Sequence, residues 1–202
     1  MKIAIQGATG KLGSLITQHA SEIFPIPRTG NIPICDVMID VSSALGTKDL
    51  LSRAQGIPLL VGTTGELPYA DLEKYAQTAP VAVVPNFSVG VPLMLELLEK
   101  AIPMLPTGWD IEVMEVHHNQ KKDSPSGTAN RIAKTISNAG AGEVPVHALR
   151  VGDTFGEHTV WMCGPGERLE IKHVATNRSV FAIGAIRWAK WLLSQPNGLI
   201  LP

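Results

Sequence analysis

Apolar and polar positions along residues 1–90 alternate in a way that predicts short buried strands separated by helices. The strand predictions rest on compact apolar runs, and the helix predictions rest on apolar residues recurring at helical spacing. Strands are expected at Lys2–Gln6, Glu22–Pro27, Asp36–Val41, Ile57–Val61 and Val81–Val84. Helices are expected at Lys11–Ser21, Leu45–Ala54 and Tyr69–Gln77. Strands and helices in alternation are typical of βαβ units built around a parallel sheet.

The pattern changes after Asn86, and Pro92 suits the first turn of a helix running to about Leu105. The later elements are a strand at Trp109–His118, a helix at about Thr128–Ser137, strands at Val146–Val151, His158–Cys163 and Leu169–Ala175, and an amphipathic helix at about Ser179–Leu193. The chain is therefore predicted to be an α/β protein. A nucleotide-type parallel-sheet domain at residues 1–88 is followed by an α+β domain with an open mixed sheet at 89–183.

Composition narrows the classes of function. Of the 202 residues, 45% are hydrophobic and 17% are charged, which is typical of a folded domain. The formal net charge of −1 gives no reason to expect nucleic acid or an acidic membrane surface as a partner. No apolar run is long enough to cross a bilayer and the N-terminus has no signal-peptide pattern, so a cytoplasmic location is expected. Cys35 and Cys163 are interpreted as free thiols of a reducing compartment.

A glycine-rich segment lies directly between the first strand and the first helix, with the sequence Gly7-Ala8-Thr9-Gly10-Lys11-Leu12-Gly13. In dinucleotide-binding folds, glycines at this turn let the backbone approach a pyrophosphate at the helix N-terminus. The segment departs from GxGxxG because Ala8 occupies the position of the first glycine. We interpret it as a dinucleotide-binding turn, and an ordinary glycine-rich strand–helix connection is the alternative.

The residue that reads the cofactor ribose is expected about 20 residues further on, at the end of the second strand. No acidic residue stands there, and the strand is followed by Arg28. An arginine suits a 2′-phosphate and so favours NADPH over NADH, while a solvated loop arginine is the alternative. The expected cofactor is therefore NADPH and/or NADH.

A second candidate site is the stretch from Glu115 to Ala129, which leaves a strand, crosses a polar turn and enters a helix. It gathers His117, His118 and Lys121 beside the start of that helix. Amides at a helix N-terminus hold carboxylates, and ammonium or imidazole groups donate protons, so the segment suits a small dianionic substrate. Metal binding is the alternative, but neighbouring residues of a strand point to opposite faces and no ligand set is complete, so no metal is expected.

The segment Glu-x-His-His-x-x-Lys-x-Asp-x-Pro-Ser-Gly-Thr-Ala resembles the signature of the 4-hydroxy-tetrahydrodipicolinate (dihydrodipicolinate) reductases. Residues 36–43, 58–65, 85–91, 156–160 and 166–173 resemble further segments of that family, in the same order. The resemblance implies NAD(P)H-dependent reduction of a small dicarboxylate in diaminopimelate and lysine biosynthesis. It also implies that residues 1–88 form a Rossmann-type domain, here shortened and completed by a C-terminal helix at 184–202. Hinges between the two domains and a homotetramer assembled through the substrate-domain sheets are implied as well.

The resemblance further implies roles for particular residues. His117 is the expected acid/base and Lys121 the proton donor, while His118, Gly127 and Thr128 are expected to hold the substrate carboxylates. The cofactor is expected to contact Gly7, Ala8, Thr9, Gly10, Lys11, Leu12, Gly62, Thr63, Thr64, Pro85, Asn86, Phe87 and Ser88, in addition to Arg28.

The chain departs from the family between Ala20 and Asp36, where it is short and where ribose-contacting residues normally lie. This shortening motivates one alternative, a non-catalytic nucleotide-binding relative. Another alternative is a related reductase acting on a different small anion. An aldehyde dehydrogenase of this kind needs a nucleophilic cysteine, and Cys35 and Cys163 in their apolar runs do not suit that role.

Overall fold

The computed structural model describes residues 1–201, which form two compact units. The first unit contains Met1–Phe87 and the chain from Arg178 onward, and the second contains Ser88–Asn177. In chain order the strands are β1 Ile3–Gln6, β2 Ile23–Pro25, β3 Val37–Asp40, β4 Leu59–Val61, β5 Pro80–Val83, β6 Asp110–His117, β7 Val146–Arg150, β8 Glu157–Gly164, β9 Glu167–Val174 and β10 Gly198–Ile200. The α-helices are α1 Lys11–His19, α2 Ala44–Arg53, α3 Tyr69–Tyr75, α4 Gly90–Ala101, α5 Gly127–Ile136 and α6 Ser179–Leu192.

The first unit is a parallel six-stranded sheet with the strand order β2-β1-β3-β4-β5-β10. Alternate residues of each strand face opposite sides, so Ile3 and Ile5 join one apolar cluster while Ala4 joins another. The first cluster includes Ile16 of α1 and residues of α6, and the second includes Leu50 of α2 and residues of α3. The expected Rossmann-type sheet is thus confirmed, with one helical layer on each face.

The connection between β2 and β3 contains no helix, since residues 26–36 have no helical segment. This is the shortened part of the domain. The strand expected at Glu22–Pro27 is present, but only Ile23–Pro25 pair with β1. At the end of the connection the Lys2 amide donates to the Asp36 carboxylate at 2.7 Å, which ties the returning chain to β1.

The C-terminal segment differs from the expected helix at 184–202. Helix α6 ends at Leu192, and the chain returns as β10, which pairs in parallel with β5. Pro196 cannot continue a helix, and Gly198 has a positive φ of 149°, so the backbone turns there and extends. Leu199 then packs against an apolar cluster, which no helical extension of α6 would allow. Pro202 lies outside the described residues.

The second unit is a four-stranded sheet in the order β7-β6-β8-β9, with β6 and β7 parallel and the other pairs antiparallel. Helices α4 and α5 pack on one face, where Val113, Val160 and Ile171 form a cross-strand row. Leu149 and Val174, on the other face, each keep 43% of their surface exposed. The expected open mixed sheet is confirmed. Within residues 1–201 no helix has both the length and the apolar character needed to cross a membrane.

Candidate active site

The turn between β1 and α1 has a shape that only glycines permit. Gly7 has φ +84°, and a Cβ on it would lie 2.6 Å from the Val41 carbonyl oxygen at the end of β3. A Cβ on Gly13 would lie 2.1 Å from the Gly7 carbonyl oxygen. The Gly10 amide donates to that same oxygen at 3.0 Å. The turn is therefore tight, and α1 starts directly against the end of β1.

This turn fits the pyrophosphate of a dinucleotide. The first amides of a helix have no acceptor within the helix, and here the N-cap residue is Gly10, with no acidic residue in the first turn. Lys11 is exposed and Leu12 is partly buried, so the start of α1 can be approached. An anion placed there gains the amide hydrogen bonds and the favourable end of the helix dipole.

The loops after β4 and β5 meet the glycine turn at the same edge of the sheet, because all these strands are parallel. The Thr63 hydroxyl accepts from the Ser42 amide at 3.0 Å, and a Cβ on Gly62 would lie 2.3 Å from the Phe87 ring. Thr63 is 5% exposed and Phe87 only 2%, so both side chains hold the loops together. Of the other expected cofactor residues, Thr64 and Pro85 are exposed, Asn86 is partly buried and Ser88 is buried as the first residue of the second unit.

Sequence reasoning missed Asp40, which organises this edge. Its carboxylate is fully buried at the end of β3 and accepts from the hydroxyls of Ser42 and Thr47, each at 2.5 Å. Burial raises the pKa of the Asp40 carboxyl, and the hydroxyl hydrogen bonds oppose that rise. The sequence signal that could have revealed Asp40 is an acidic residue inside an otherwise apolar strand. Arg28 lies exposed beyond the end of β2, at the same edge of the sheet.

The second candidate site begins where the covered face of the second sheet changes from apolar to polar. Two residues along the strands from the row of Val113, Val160 and Ile171, the next row on the same face is polar. It consists of Glu115 on β6, His158 on β8 and His173 on β9. His117 follows on β6, paired with Arg150 of β7. The alternation that buries the apolar residues therefore buries these polar groups as well.

Glu115 is the centre of a buried hydrogen-bond network. Its side chain is fully buried and accepts from both terminal nitrogens of Arg150, at 2.7 and 2.8 Å. It also accepts from His117 Nδ1 at 2.5 Å and from the Ser126 amide at 2.9 Å. Burial opposes ionisation, but the hydrogen bonds from Arg150, His117 and Ser126 outweigh it and lower the pKa of Glu115. Sequence reasoning assigned no role to Glu115 or Arg150.

Two further histidines, to which sequence reasoning assigned no role, stand beside Glu115 on the neighbouring strands. The His158 ring meets the His117 ring edge-on at 5.2 Å, and the His173 ring lies 6.3 Å from His158. Ser126 Oγ contacts His158 Nε2 at 3.4 Å, and Ser88 Oγ contacts His173 Nε2 at 3.0 Å. Burial, helped by the neighbouring histidines, lowers the pKa of His158 to about 4. Burial also lowers the pKa of His173.

Helix α5 begins at this polar end of the sheet. Ser126 caps the helix by accepting from the Ala129 amide at 3.2 Å, and Gly127 is exposed in the first turn beside the partly buried Thr128. Lys121 pairs with Asp123 at 2.8 Å. Lys121, and more weakly the Gly127 amide, lower the pKa of Asp123, so a carboxylate already rests beside the helix terminus.

His117 and His118 have different surroundings. His117 is 9% exposed and bonded through Nδ1 to Glu115, whereas His118 lies just beyond β6 and its buried Nδ1 has no hydrogen-bond partner among residues 1–201. The Lys121 amide donates to the His118 carbonyl at 3.1 Å, which closes the turn that carries Lys121. Over the described part of the chain, no group of three or more histidine, cysteine, aspartate or glutamate side chains is arranged to hold a metal ion.

A tight strand–helix glycine turn in one unit, and a helix start beside histidines and a lysine in the other, are features typical of two-domain nicotinamide-dependent reductases. A profile of the family described as "Dihydrodipicolinate reductase, C-terminus" matches residues 90–201. The chain belongs to the 4-hydroxy-tetrahydrodipicolinate reductase family. The reductase of Xanthomonas euvesicatoria pv. vesicatoria (strain 85-10) is 38% identical over 226 residues, covering 98% of this chain and 94% of the relative.

A second relative supports this assignment, and a solved structure supports the fold. The 4-hydroxy-tetrahydrodipicolinate reductase of Myxococcus xanthus (strain DK1622) is 41% identical over 187 residues, covering 81% of this chain and 69% of the relative. The fold matches the solved structure of dipicolinate-bound dihydrodipicolinate reductase from Paenisporosarcina sp. TG-14, with a TM-score of 0.77, 21% identity and coverage of 100% of this chain and 97% of that chain. The family, the α/β fold and the reductase class expected from the sequence are therefore confirmed.

Proposed function

We propose that this protein reduces 4-hydroxy-tetrahydrodipicolinate to tetrahydrodipicolinate in diaminopimelate and lysine biosynthesis, with NADPH or NADH as the reductant. The observation that carries the proposal is the polar end of the second unit, where the Asp123 carboxylate lies beside Lys121 and the start of α5, with His117 at the end of β6. In the net reaction a hydride and a proton enter, and the substrate hydroxyl leaves as water. The protein must therefore hold two carboxylates and supply one proton.

Carboxylate binding is supported by a group that already occupies the helix terminus. The Asp123 carboxylate lies 2.8 Å from Lys121 Nζ, and its pKa is lowered by Lys121 and, more weakly, by the Gly127 amide. A substrate carboxylate that displaces Asp123 gains the same cation and the same helix end. We assign Gly127, Thr128 and His118 to the substrate carboxylates on this basis.

Proton transfer is assigned to Lys121 and His117. Lys121 is partly buried, with 23% of its side chain exposed, so its ammonium group is shielded but still accessible to a ligand. A cation in this position neutralises the charge of the substrate and donates a proton where negative charge develops. His117, four residues before Lys121 and at the end of β6, is assigned as the acid/base group.

The cofactor is assigned to the first unit. When bound, the nicotinamide nucleotide supplies the hydride. The residues from Gly7 to Leu12 would hold the pyrophosphate, and the loops at Gly62–Thr64 and Pro85–Ser88 would line the same edge of the sheet. Arg28, exposed beyond β2, would favour the 2′-phosphate of NADPH.

The uncovered face of the second sheet supports assembly. Met114 and Val116 on β6 share this face with Leu149 and Val174, and the latter two are each 43% exposed. These four residues form an apolar patch on a face that also carries ion pairs such as Lys172–Glu157, and a patch of this kind suits burial against another copy of the chain. We propose that the protein is a cytoplasmic homotetramer joined through these sheets.

The proposed reaction is tested by following the absorbance of NADPH and NADH at 340 nm while a dihydrodipicolinate synthase generates the substrate. We expect oxidation that depends on the synthase, and a loss of turnover of roughly two to four decades in Lys121→Ala, the scale of a positioned acid. Lys122→Ala, which changes the adjacent exposed lysine, is the matched control and should keep normal turnover. In the same assay Arg28→Ala should raise the KM for NADPH more than the KM for NADH.

Two outcomes would contradict these assignments. Near-normal turnover of Lys121→Ala would remove Lys121 from the mechanism. No oxidation of either cofactor by the folded protein would remove the proposed reaction and favour a non-catalytic nucleotide-binding relative.

A further inference from the structure

Glu115 is a carboxylate with no contact to solvent, yet every partner it has is a hydrogen-bond donor. Arg150 occupies both oxygens at 2.7 and 2.8 Å, and the Ser126 amide adds a third hydrogen bond at 2.9 Å. A buried carboxylate with an arginine held in this bidentate way remains ionised. The fourth contact, from His117 Nδ1 at 2.5 Å, is then made to an anion.

The charge of Glu115 determines which nitrogen of His117 carries the proton. An ionised carboxylate accepts hydrogen bonds and cannot donate them, so Nδ1 must be the donor. In a neutral imidazole with a proton on Nδ1, Nε2 carries a lone pair and no proton. Nε2 lies beside the buried Gly156, where a Cβ would come within 3.0 Å, so a larger residue at position 156 would press against this nitrogen.

Titratable groups face His117 from several directions. Glu115 lies on the same strand, Arg150 on β7, Lys121 in the loop after β6, and the His158 ring on β8. Glu115 favours a second proton on the imidazole, while burial and the two cations oppose it, and the pKa of His117 is lowered as a result. Near neutral pH His117 is therefore the neutral ring described above.

We propose that Glu115 and Arg150 are a positioning pair that fixes His117 as the Nδ1-protonated tautomer and presents Nε2 as a hydrogen-bond acceptor. His117 then cannot be the proton donor in the resting enzyme, and that role falls to Lys121. The proposal deepens the proposed function, since it rests on His117 belonging to the reaction site. Neither Glu115 nor Arg150 needs to touch the substrate.

A second contact of Arg150 links the two proton-handling residues. Arg150 Nη2 also donates to the Asp123 carbonyl at 2.6 Å, and the Asp123 carboxylate pairs with Lys121. One guanidinium therefore fixes the carboxylate that orients His117 and the backbone of the loop that carries Lys121. Lysine cannot replace these contacts, because a single ammonium group lacks the planar fork.

Nitrogen-15 NMR of the histidine-labelled protein tests the tautomer without any turnover. At pH 7.5 we expect His117, assigned by its missing signals in His117→Gln, to show a protonated Nδ1 and a bare Nε2. His147 is an internal reference, because its Nε2 and not its Nδ1 faces a carboxylate, that of Glu112 at 2.6 Å. A proton on Nε2 of neutral His117 would overturn the proposal, whatever the activity of the enzyme.

A double-variant cycle tests the positioning role. We expect Glu115→Gln to lower kcat about 10²-fold in the native background and to change it less than about 3-fold in a His117→Gln background. A purely structural role would give the same loss in both backgrounds and would overturn the proposal. Glu99→Gln, on the exposed face of α4, is the control and should leave kcat unchanged.

The two experiments also separate this proposal from the proposed function. If Glu115→Gln does not fold, the tautomer of the native enzyme still decides the question. An inactive native enzyme with the expected tautomer would remove the proposed reaction and leave the Glu115–Arg150–His117 geometry standing.

Discussion

Three histidines of the second unit, His117, His158 and His173, are held in the neutral form mainly by burial. The largest effect is on His158, 3% exposed, with a folded-state pKa of about 4. In the unfolded chain a histidine has a pKa of about 6.5. Between these values the unfolded state binds more protons than the folded state, so lowering the pH through this window favours unfolding.

The first prediction concerns this pH dependence. The free energy of unfolding should be fully retained above pH 6.5 and should fall as the pH is lowered towards 4, with His158 contributing about 2–3 kcal/mol of the fall. His158→Asn removes the titrating group and should make the decline between pH 7 and pH 4.5 shallower in urea unfolding. His19→Asn, at an exposed histidine of α1, is the control. An unchanged slope in His158→Asn would contradict the assignment of this pH dependence to His158.

At the scale of the element, helix α1 depends on a close approach to the strand that precedes it. Gly13 lies inside the helix, where glycine is normally unfavourable, and its position is explained by the Gly7 carbonyl that a Cβ would contact at 2.1 Å. The helix buries Gly13 and Ile16. The same glycine therefore permits the helix–strand packing and the exposure of the amides proposed to bind the cofactor.

Gly13→Ala should disturb both the packing of α1 against β1 and the proposed cofactor site. We expect a lower melting temperature and at least a tenfold weaker affinity for NADPH, measured by fluorescence titration, because α1 must move away from the Gly7 turn. Ser14→Ala changes the next residue of the helix, whose hydroxyl bonds only the Lys11 carbonyl, and should leave the affinity unchanged. Normal NADPH affinity in Gly13→Ala would remove the glycine turn from the cofactor site.

Helix α6 illustrates a packing surface that its sequence does not reveal. The large apolar residues of this helix are Phe181, Ile186, Trp188 and Trp191, yet Trp191 is 39% exposed. The fully buried face consists of Ala182, Ala185, Ala189 and Leu192. Gly184 lies beside the Phe87 carbonyl, where a Cβ would come within 1.8 Å. Small residues let the helix approach the sheet closely, and the larger ones surround that contact.

At the scale of the whole molecule, the uncovered face of the second sheet is the surface most relevant to assembly. We expect light scattering with size-exclusion chromatography to show a tetramer for the native protein. Leu149→Lys should shift it to smaller species, because a charge in the apolar patch of this face opposes burial. Leu93→Lys, at an exposed leucine of α4, is the matched control. A native monomer, or a tetramer in Leu149→Lys, would contradict assembly through this face.

The sequence by itself determined the order of elements as far as α6, the α/β class and the two candidate segments. Apolar periodicity follows from the geometry of strands and helices, and the glycine turn and the Glu115–Ala129 segment are each continuous in sequence, so both were visible without coordinates. Strand β10 was missed because it is only three residues long and follows Pro196 and Asn197, so it carries no periodic signal. Only its pairing with β5 defines it as a strand.

Only the tertiary structure brought Arg150, His158 and His173 to Glu115 and His117. These residues come from four different strands, and their proximity depends on the register of β6, β7, β8 and β9, which local patterns do not encode. Charge and burial act through space rather than along the chain. The arginine that holds Glu115, and the histidine with a pKa of about 4, were therefore fixed by the packing of the sheet.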